Sequence, residues 1–414
     1  MITTQYTELS RHLTRTLSKE TKKQNGIYFT PPQTIHSILK ILDPYIKSGK
    51  IHNILEPSCG SGEFLHAIIS QYKKGSFCIN AVENNTTIFN SIKDVFSDKM
   101  DNSIVNLRNE DFLCYYPNEP QDLIIGNPPF FVMKKHDVDT SYYPFFDGRP
   151  NIFLLFLIKS IQHLSDEGIL CFVLPSNFMN SLVCDKTRQY IVKECDIIDI
   201  IECDDDYIET KQKTIVLIIQ RKKPSDICQR NMKNVLSLHH HTIFGTEHTI
   251  QNIKELCEGT TTLFDMGFDV NVGSIVWNQC KPILTDDPTK TRLIYSSDIE
   301  NNQLSIKTYD NQEKKNYINK RGSNEPLLVI NRGYGTGKYV FQYCLLTNPD
   351  EYLIENHLIC IRPVEKMTKR QLLSQYKKII TSLQNNKTNK FIQLYFGNNA
   401  INTTELRHIM PMFL

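Results

Sequence analysis

The segment 122–130, DLIIGNPPF, places an asparagine and two prolines at the end of an apolar run that has the pattern of a buried strand. Each proline fixes its own φ and restricts the residue before it, so the turn is stiff. The Asn127 side-chain oxygen and the Pro128 carbonyl are therefore two acceptors held in place. Two fixed acceptors suit a planar amino group, because they favour the pyramidal nitrogen whose lone pair reacts. Phe130 offers an aromatic face on which a base can stack.

Three earlier segments carry residues suited to a nucleoside ligand. In ILEPSCGSGEF, Gly60 and Gly62 lie where a predicted strand turns into a helix, so the backbone can approach a ligand closely. Glu83 ends the next predicted strand and can accept both hydroxyl groups of a ribose. Asp111 follows the third strand and can accept from an adenine amino group, with Phe112 beside the ring. Together these residues predict an adenosine site.

The adenosine site comes without a phosphate-binding loop of the pattern G-x-x-x-x-G-K-[ST]. GYGTGK at 333–338 fails that pattern, because Arg332 stands where the first glycine is required and Tyr339 follows the lysine. The absence of a phosphate binder favours S-adenosylmethionine over ATP as the ligand.

The segments around these residues are predicted to alternate between strand and helix along the chain. Apolar runs predict strands at 51–55, 76–82, 104–107, 122–125, 168–174, 197–203 and 214–220. Helices are predicted at 37–42, 63–72, 86–96, 152–164 and 187–195. Such alternation is typical of a Rossmann-like α/β fold with a doubly wound, mainly parallel sheet. Because the carboxyl ends of parallel strands meet at one edge, the fold would bring the residues above together.

The organisation changes after RKKP at 221–224, where the alternation stops and short apolar runs with Asn-rich connections begin. We predict a basic N-terminal arm over residues 1–25, a cofactor-binding catalytic domain over 26–223 and a second, α+β domain over 224–414. Residues 221–414 carry 25 Lys and Arg against 18 Asp and Glu, whereas residues 1–220 carry 22 against 27. The second domain is therefore expected to meet a polyanion such as nucleic acid, and the arm is a candidate clamp on it.

Several kinds of site are excluded by pattern. The longest apolar runs are too short to span a bilayer and the polar N-terminus has no signal-peptide core, which predicts an intracellular protein without a membrane partner. The twelve cysteines include no C-x-x-C pair, so we expect reduced thiols and no zinc. The triplet HHH at 239–241 has no second ligand cluster and is interpreted as a solvated loop, so no metal site is predicted.

On these residues the sequence resembles the amino-group DNA methyltransferases, in particular the N6-adenine enzymes of the γ arrangement, whose cofactor motifs precede the recognition domain. NPPF at 127–130 matches the family's [D/N/S]-P-P-[F/Y/W] motif, and EPSCGSGEF at 56–64 matches its cofactor motif. TPP at 30–32 matches a turn beside the methionine end of the cofactor, and GILCFVLPSNF at 168–178 matches a later core motif. The resemblance covers residues 20–220. It implies a class I methyltransferase fold, S-adenosylmethionine as cofactor and double-stranded DNA as partner.

The resemblance also implies roles for individual residues. The target amino group and base would be held by Asn127, Pro128, Pro129 and Phe130. The cofactor would be bound by Tyr28, Thr30, Glu56, Pro57, Ser58, Gly60, Gly62, Glu83, Asp111 and Phe112. Tyr207 is the nearest candidate for an aromatic ring that stacks on the extruded base. A basic and aromatic cluster suited to DNA phosphates and base edges is formed by Arg321, Arg332, Tyr334 and Lys338.

The predicted reaction is methyl transfer to N6 of an adenine flipped out of duplex DNA. N4-cytosine methylation uses the same geometry, although enzymes of that kind more often carry serine at the position of Asn127. Protein-glutamine and ribosomal RNA guanine-N2 methyltransferases share the NPPF motif, but the basic second half and the TPP segment argue against them. A DNA-binding subunit without activity is opposed by the intact motifs. The resemblance is compatible with a monomer and with a separate cognate restriction endonuclease.

Overall fold

The computed structural model describes residues 5–96, 102–203, 212–223, 233–332, 341–347, 349–396 and 401–414. It divides the chain into two compact units, Met1–Ile250 and Gln251–Leu414. Among the described residues, no helix is both long enough and apolar enough to cross a membrane.

A seven-stranded sheet forms the centre of the first unit. Its strands are β1 (Asn53–Glu56), β2 (Cys78–Val82), β3 (Ile104–Arg108), β4 (Gln121–Gly126), β5 (Leu164–Pro175), β6 (Cys195–Cys203) and β7 (Thr214–Arg221). Their order across the sheet is β3-β2-β1-β4-β5-β7-β6. The first five strands are parallel, and β7 runs antiparallel to both β5 and β6. The predicted doubly wound, mainly parallel sheet is confirmed.

Helices cover both faces of this sheet. They are α1 (Glu8–Thr16), α2 (Lys19–Asn25), α3 (Pro32–Lys47), α4 (Glu63–Gln71), α5 (Thr86–Lys93), α6 (Ile152–His163) and α7 (Asp185–Glu194). Side chains alternate along β4, so Leu123 and Ile125 pack with α3, α4 and α5, whereas Ile124 packs with α6 and α7. Nearly every residue of α6 is buried, which explains why its sequence is an unbroken apolar run.

The segment predicted as a basic arm folds into α1 and α2, which pack on the first unit. Leu13 of α1 is 2% exposed and belongs to the core that covers the sheet. The Lys22 ammonium is buried and donates to the Thr14 carbonyl at 2.7 Å, which ties α2 to α1. Residues 5–25 are therefore part of the cofactor-domain structure.

The compact division lies at residue 250, later than the domain boundary predicted at 223. A hairpin of β8 (Val235–Leu238) and β9 (His241–Phe244) packs on α7, which keeps it in the first unit. His239 and His240 form its two-residue turn with φ of 44° and 72°, the geometry of a tight hairpin turn. Helix α8 (Glu247–Cys257) crosses the division.

The second unit is an α+β structure. Its strands are β10 (Phe268–Val272), β11 (Leu284–Thr285), β12 (Thr291–Ile294), β13 (Ile299–Glu300), β14 (Gln303–Leu304), β15 (Tyr317–Ile318), β16 (Leu327–Asn331), β17 (Tyr343–Leu346), β18 (Tyr352–Ile354) and β19 (Leu358–Pro363). Four-stranded sheets have the orders β10-β19-β16-β17 and β11-β15-β12-β18. Three helices follow: α9 (Lys369–Leu383), α10 (Asn386–Tyr395) and α11 (Thr403–His408). The buried Tyr376 hydroxyl of α9 donates to the Ile361 carbonyl at 2.7 Å, fastening that helix to β19.

Candidate active site

A cavity of about 520 Å³ lies at the carboxyl ends of β1, β2, β3 and β4 in the first unit. This volume is within the range of roughly 300–1,000 Å³ that small-molecule sites occupy. The predicted site residues on its wall are Tyr28, Pro57, Ser58, Gly60, Glu83, Asp111, Phe112, Asn127 and Pro129. Residues from five separate segments thus meet at one edge of the sheet, as expected for a doubly wound fold.

The Asn127 side chain is oriented by one hydrogen bond. Its Nδ2 donates to the Tyr28 carbonyl at 3.0 Å, whereas its Oδ1 has no hydrogen-bond partner in the described part of the chain. The backbone carbonyl of Asn127 accepts from the Ser58 hydroxyl at 3.1 Å. Because the amide nitrogen donates to the Tyr28 carbonyl, the buried amide oxygen is left as an acceptor without a partner among the described residues.

The rest of the NPPF turn is held from two sides. Gly26 has φ of 62°, and a Cβ at this position would lie 2.6 Å from the Phe130 backbone nitrogen. Only glycine permits both this conformation and this close approach. Pro128 is buried, and the Phe130 ring packs edge-on against Phe153 of α6, with centroids 6.0 Å apart. The turn is therefore clamped between the segment before the TPP motif and α6.

Glu83 is the buried carboxylate at the tip of β2. It accepts from the Gly60 N–H at 2.9 Å and from the Asn85 N–H at 2.7 Å. Burial raises the pKa of Glu83, while these two N–H donors oppose the rise by stabilising the anion. Each oxygen keeps a lone pair after one such bond, so the pair of oxygens can still accept two ribose hydroxyls.

Two phenylalanine rings form an apolar part of the cavity wall. The Phe112 ring lies 4.9 Å from the Phe156 ring, centroid to centroid. Lys159 of α6 is buried and donates to the Leu113 carbonyl at 2.7 Å, and burial lowers the pKa of this lysine. Its ammonium also lies 3.9 Å from the centroid of the Tyr116 ring. Lys159 thus fastens the loop after β3 to α6 and fixes the position of Phe112.

The remaining predicted residues of the first unit stand outside this wall. In the described structure they are Thr30, Glu56, Gly62, Pro128 and Phe130. Glu56 is fully buried behind the wall, its Oε2 lacks a partner among the described residues, and burial together with Glu83 and Glu63 raises its pKa well above the usual range. Gly62 has φ of 78°, and a Cβ there would lie 2.5 Å from the Phe96 ring. These residues support the wall.

Sequence reasoning missed part of the cavity lining. The additional wall residues are Asn25, Gly26, Ile27, Phe29, Asn84, Asn85, Thr86, Ile88, Leu113, Phe131, Met133, Ile152 and Phe156. Two signals were available, since residues 25–29 directly precede the TPP motif and Phe131 directly follows NPPF. The other side chains are ordinary apolar or polar types without a recognisable pattern.

The predicted residues of the second half are only partly described. Tyr207, Tyr334 and Lys338 lie outside the described residues. Arg321 and Arg332 are both exposed, and they flank β16 at opposite ends. No group of three or more potential metal ligands occurs within the described ranges.

The first-unit cavity fits S-adenosylmethionine. The buried carboxylate of Glu83 suits a ribose diol, and the Phe112–Phe156 pair gives an apolar face for a purine ring. Asn127, whose Oδ1 has no partner among the described residues, lines the same cavity. Tyr28 and Ser58 also line this cavity.

Comparison with known proteins agrees with this chemistry. Residues 10–208 match the family model described as Eco57I restriction-modification methylase. The chain is 26% identical over 424 residues to modification methylase CviBIII of Paramecium bursaria Chlorella virus NC1A, with 99% of each chain covered. It is 26% identical over 352 residues to type II methyltransferase M.CvrRI of Paramecium bursaria Chlorella virus XZ-6E, covering 83% of this chain and 85% of that protein.

A solved structure shares the fold. The cryo-EM structure of a DrdV–DNA complex aligns with a TM-score of 0.55 at 12% identity, covering 98% of this chain and 57% of that chain. The sheet order, the cavity and the family match agree with one another. Residues 10–208 are therefore similar to the Eco57I restriction-modification methylases, and the cavity at the sheet edge suits S-adenosylmethionine as cofactor.

Proposed function

We propose that this protein is a site-specific DNA methyltransferase that methylates N6 of an adenine extruded from duplex DNA. The observation that carries the proposal is the state of Asn127. Its amide nitrogen is engaged by the Tyr28 carbonyl and its Oδ1 is left without a partner in the described structure, on the wall of the cavity. An acceptor so fixed suits one N–H of an exocyclic amino group.

The chain's own residues act on the target amino group. Asn127 Oδ1 accepts one N–H and the Pro128 carbonyl accepts the other, which draws the nitrogen towards a pyramidal geometry. S-adenosylmethionine, when bound, supplies an electrophilic methyl group. No strong base is required in this scheme, because the amino proton becomes acidic once the nitrogen carries the methyl group. The stiff prolines keep both acceptors in place, so little reorganisation is needed.

Duplex DNA is the proposed substrate for two reasons. The relatives that align over most of the chain are called a modification methylase and a type II methyltransferase. A stacked adenine also cannot place its amino group at the end of a cavity, so the base must leave the duplex. We further propose that residues 224–414 read the target sequence and that a separate restriction endonuclease is the cognate partner.

The proposal that the target base is adenine depends on the residue type at position 127. Asn127 favours adenine over cytosine, since enzymes that methylate N4 of cytosine more often have serine at this position. The acceptor geometry itself suits both amino groups. Cytosine is therefore the alternative target, and the acceptor assay below must separate the two.

The proposal is tested by offering the protein several acceptors with methyl-labelled cofactor. Unmethylated duplex DNA, ribosomal RNA, transfer RNA and a release-factor protein are incubated with the wild type and with Asn127→Ala. We expect label in DNA alone, in N6-methyladenine, and at least about 100-fold less with the variant. Label in RNA or in a glutamine side chain would refute the proposal, and N4-methylcytosine would select the alternative.

A further inference from the structure

The positive charge of the second unit is concentrated in one segment. Residues 366–404 contain seven Lys and Arg and no Asp or Glu, whereas the rest of 251–414 contains 13 basic and 16 acidic residues. The seven cations are Lys366, Lys369, Arg370, Lys377, Lys378, Lys387 and Lys390, and all are exposed. The excess positive charge of this unit therefore comes entirely from α9, α10 and the turns beside them.

These cations are not neutralised by the protein itself. Across the part of the chain that the structure describes, none of the seven makes an ion pair. Other lysines of the same unit do: Lys281 pairs with Glu313 and Lys315 pairs with Asp286, each at 2.6 Å. The seven side chains therefore have charge available for an external anion.

Two of the seven cations, Arg370 and Lys377, lie on the outward face of α9. Its buried positions are Leu372, Tyr376, Ile379, Ser382 and Leu383. Arg370, Ser374, Lys377 and Thr381 follow one another at spacings of four, three and four residues, which places them on one line opposite Tyr376 and Ile379. Cations and hydroxyl groups thus alternate along a single exposed line.

Helix stability does not explain where these cations are. Lys369 and Arg370 occupy the first turn of α9, and Lys387 occupies the first turn of α10. Neither helix has an acidic residue in its first turn or a basic residue in its last turn. The helix dipole favours the opposite arrangement, with anions at the start and cations at the end. These positions cost helix stability unless an anion binds there.

We propose that the exposed face of α9 and α10, defined by these seven cations, binds the phosphate backbone of duplex DNA. This inference rests on the proposed function, which makes DNA the substrate. Closely spaced Lys and Arg side chains displace condensed counterions from a duplex, and the exposed Ser374 hydroxyl can donate to a phosphate oxygen. Lysines are flexible point charges, so the face anchors the duplex without reading its bases.

The test compares two triple variants that lose the same charge from the same unit. The face variant is Arg370→Gln, Lys377→Gln, Lys378→Gln, and the control is Lys281→Gln, Lys307→Gln, Lys315→Gln. Lysines of the control are each in an exposed ion pair. Binding of two duplexes of unrelated sequence is measured over a range of salt concentrations, together with thermal stability and cofactor affinity.

We expect the face variant to lose at least about tenfold in affinity near 0.1 M salt, equally for both duplexes, with a salt slope smaller by about 2 to 3. The control should lose much less, and neither should change cofactor affinity or melting temperature. Three results would refute DNA binding by this face. They are equal losses of affinity in both triple variants, a loss confined to one duplex sequence, and preferential binding of the wild type to RNA or anionic vesicles.

Methylation of DNA by the same wild-type preparation separates the two proposals. If the wild type transfers no methyl group to DNA, the proposed function fails. If it methylates DNA and the face variant keeps wild-type affinity and salt slope, the proposed function stands and the α9–α10 face is refuted.

Discussion

At the scale of single residues, Asn127 is oriented by a contact that its own motif does not contain. The partner of its Nδ2 is the Tyr28 carbonyl, nearly one hundred residues earlier in the chain, at 3.0 Å. The motif supplies the acceptor, and the distant carbonyl decides which way the amide points. An asparagine has an advantage over aspartate here, because only the amide has a nitrogen to place against a carbonyl.

Asn127→Asp tests that orientation. The aspartate would place an oxygen against the Tyr28 carbonyl oxygen, so the hydrogen bond is replaced by repulsion and the side chain leaves its position. We expect kcat to fall about 100-fold or more, with a much smaller change in cofactor affinity, measured by single-turnover methylation and equilibrium binding. A variant that keeps wild-type kcat would contradict the orienting role of Tyr28.

Glu56 makes the stability of the folded protein depend on pH. Burial, Glu83 and Glu63 raise its pKa well above the ordinary value of 4.5, so the folded state retains a proton that the unfolded state loses. The unfolded state then binds fewer protons, and stability falls as pH rises through the interval above that value. Glu56→Gln removes this loss. The variant should gain stability relative to wild type progressively as pH rises above the ordinary glutamate pKa of 4.5.

Urea denaturation at several pH values measures this gain. Glu110→Gln is the matched control, since Glu110 is an exposed glutamate of the first unit. A difference between wild type and Glu56→Gln that stays constant with pH would contradict the raised pKa.

At the scale of elements, α1 is joined to the cofactor turn by a buried hydrogen-bond network. The Thr7 N–H and hydroxyl donate to Glu63 Oε1 at 2.9 and 2.8 Å, and the Ser10 hydroxyl donates to the same oxygen. Ser10 Oγ also lies 2.7 Å from Ser61 Oγ. Ser61 and Glu63 surround Gly62 in the turn whose Gly60 N–H donates to Glu83. The helix is thus linked to Glu83 through this turn.

Ser10→Ala is expected to weaken cofactor binding. It removes one donor from a buried carboxylate and leaves Ser61 without this partner, at a cost of about 1–3 kcal/mol. Because the turn also holds Glu83, we expect a several-fold increase in the cofactor KM with kcat nearly unchanged. Thr16→Ala, on the same helix, removes an exposed hydroxyl bonded only to the helix backbone and serves as control. Equal KM values for both variants would count against the network.

Arg188 is the joint between α7, the loop after β5 and the β8–β9 hairpin. Its guanidinium is 0% exposed and donates to the Thr242, Phe178 and Ser181 carbonyls. Asp185 accepts from the Thr242 N–H at 2.7 Å, and hydrogen bonding to that N–H and to His241 keeps the pKa of Asp185 low against its burial. The planar fork of the guanidinium has enough N–H donors, in a fixed geometry, to reach all three carbonyls, whereas a lysine ammonium does not.

Both Arg188→Ala and Arg188→Lys should destabilise the first unit. The alanine variant leaves buried carbonyls and Asp185 without their cation, which costs about 3 kcal/mol or more. Lys186→Ala, which removes an exposed ion pair with Asp147, should cost less than about 1 kcal/mol. Thermal unfolding of the three variants measures the difference, and a lysine variant as stable as wild type would contradict the fork argument.

The elements of the first unit were predictable because each has a local signature. The apolar run of β5, the alternation of β4 and the glycines after β1 identify themselves within a few residues. Docking of α1 on Glu63 was not predictable, since a buried Ser10 and an exposed one look alike in sequence. The wall formed by Gly26 and Phe29 also depends on long-range packing, which no short pattern records.

At the scale of the whole molecule, the candidate site of the first unit is more predictable from sequence than that of the second unit. The first unit contains motifs whose spacing follows from chemistry, and their positions at the ends of β1 to β4 were predicted. The second unit was assigned a basic cluster around Arg321 and Arg332, which precede and follow β16 in the chain, and this assignment stays a prediction. The larger concentration of positive charge lies on α9 and α10. A charge count over the whole second unit hides it, because the other residues of that unit carry more Asp and Glu than Lys and Arg.

We propose above all that the protein methylates N6 of adenine within a defined DNA sequence, with Asn127 holding the target amino group. It is tested most directly by base-resolution sequencing of unmethylated genomic DNA after incubation with cofactor and either wild type or Asn127→Ala. We expect N6-methyladenine at a single short sequence with the wild type and none above background with the variant. Methylation of cytosine, methylation without sequence preference, or equal modification by the variant would contradict it.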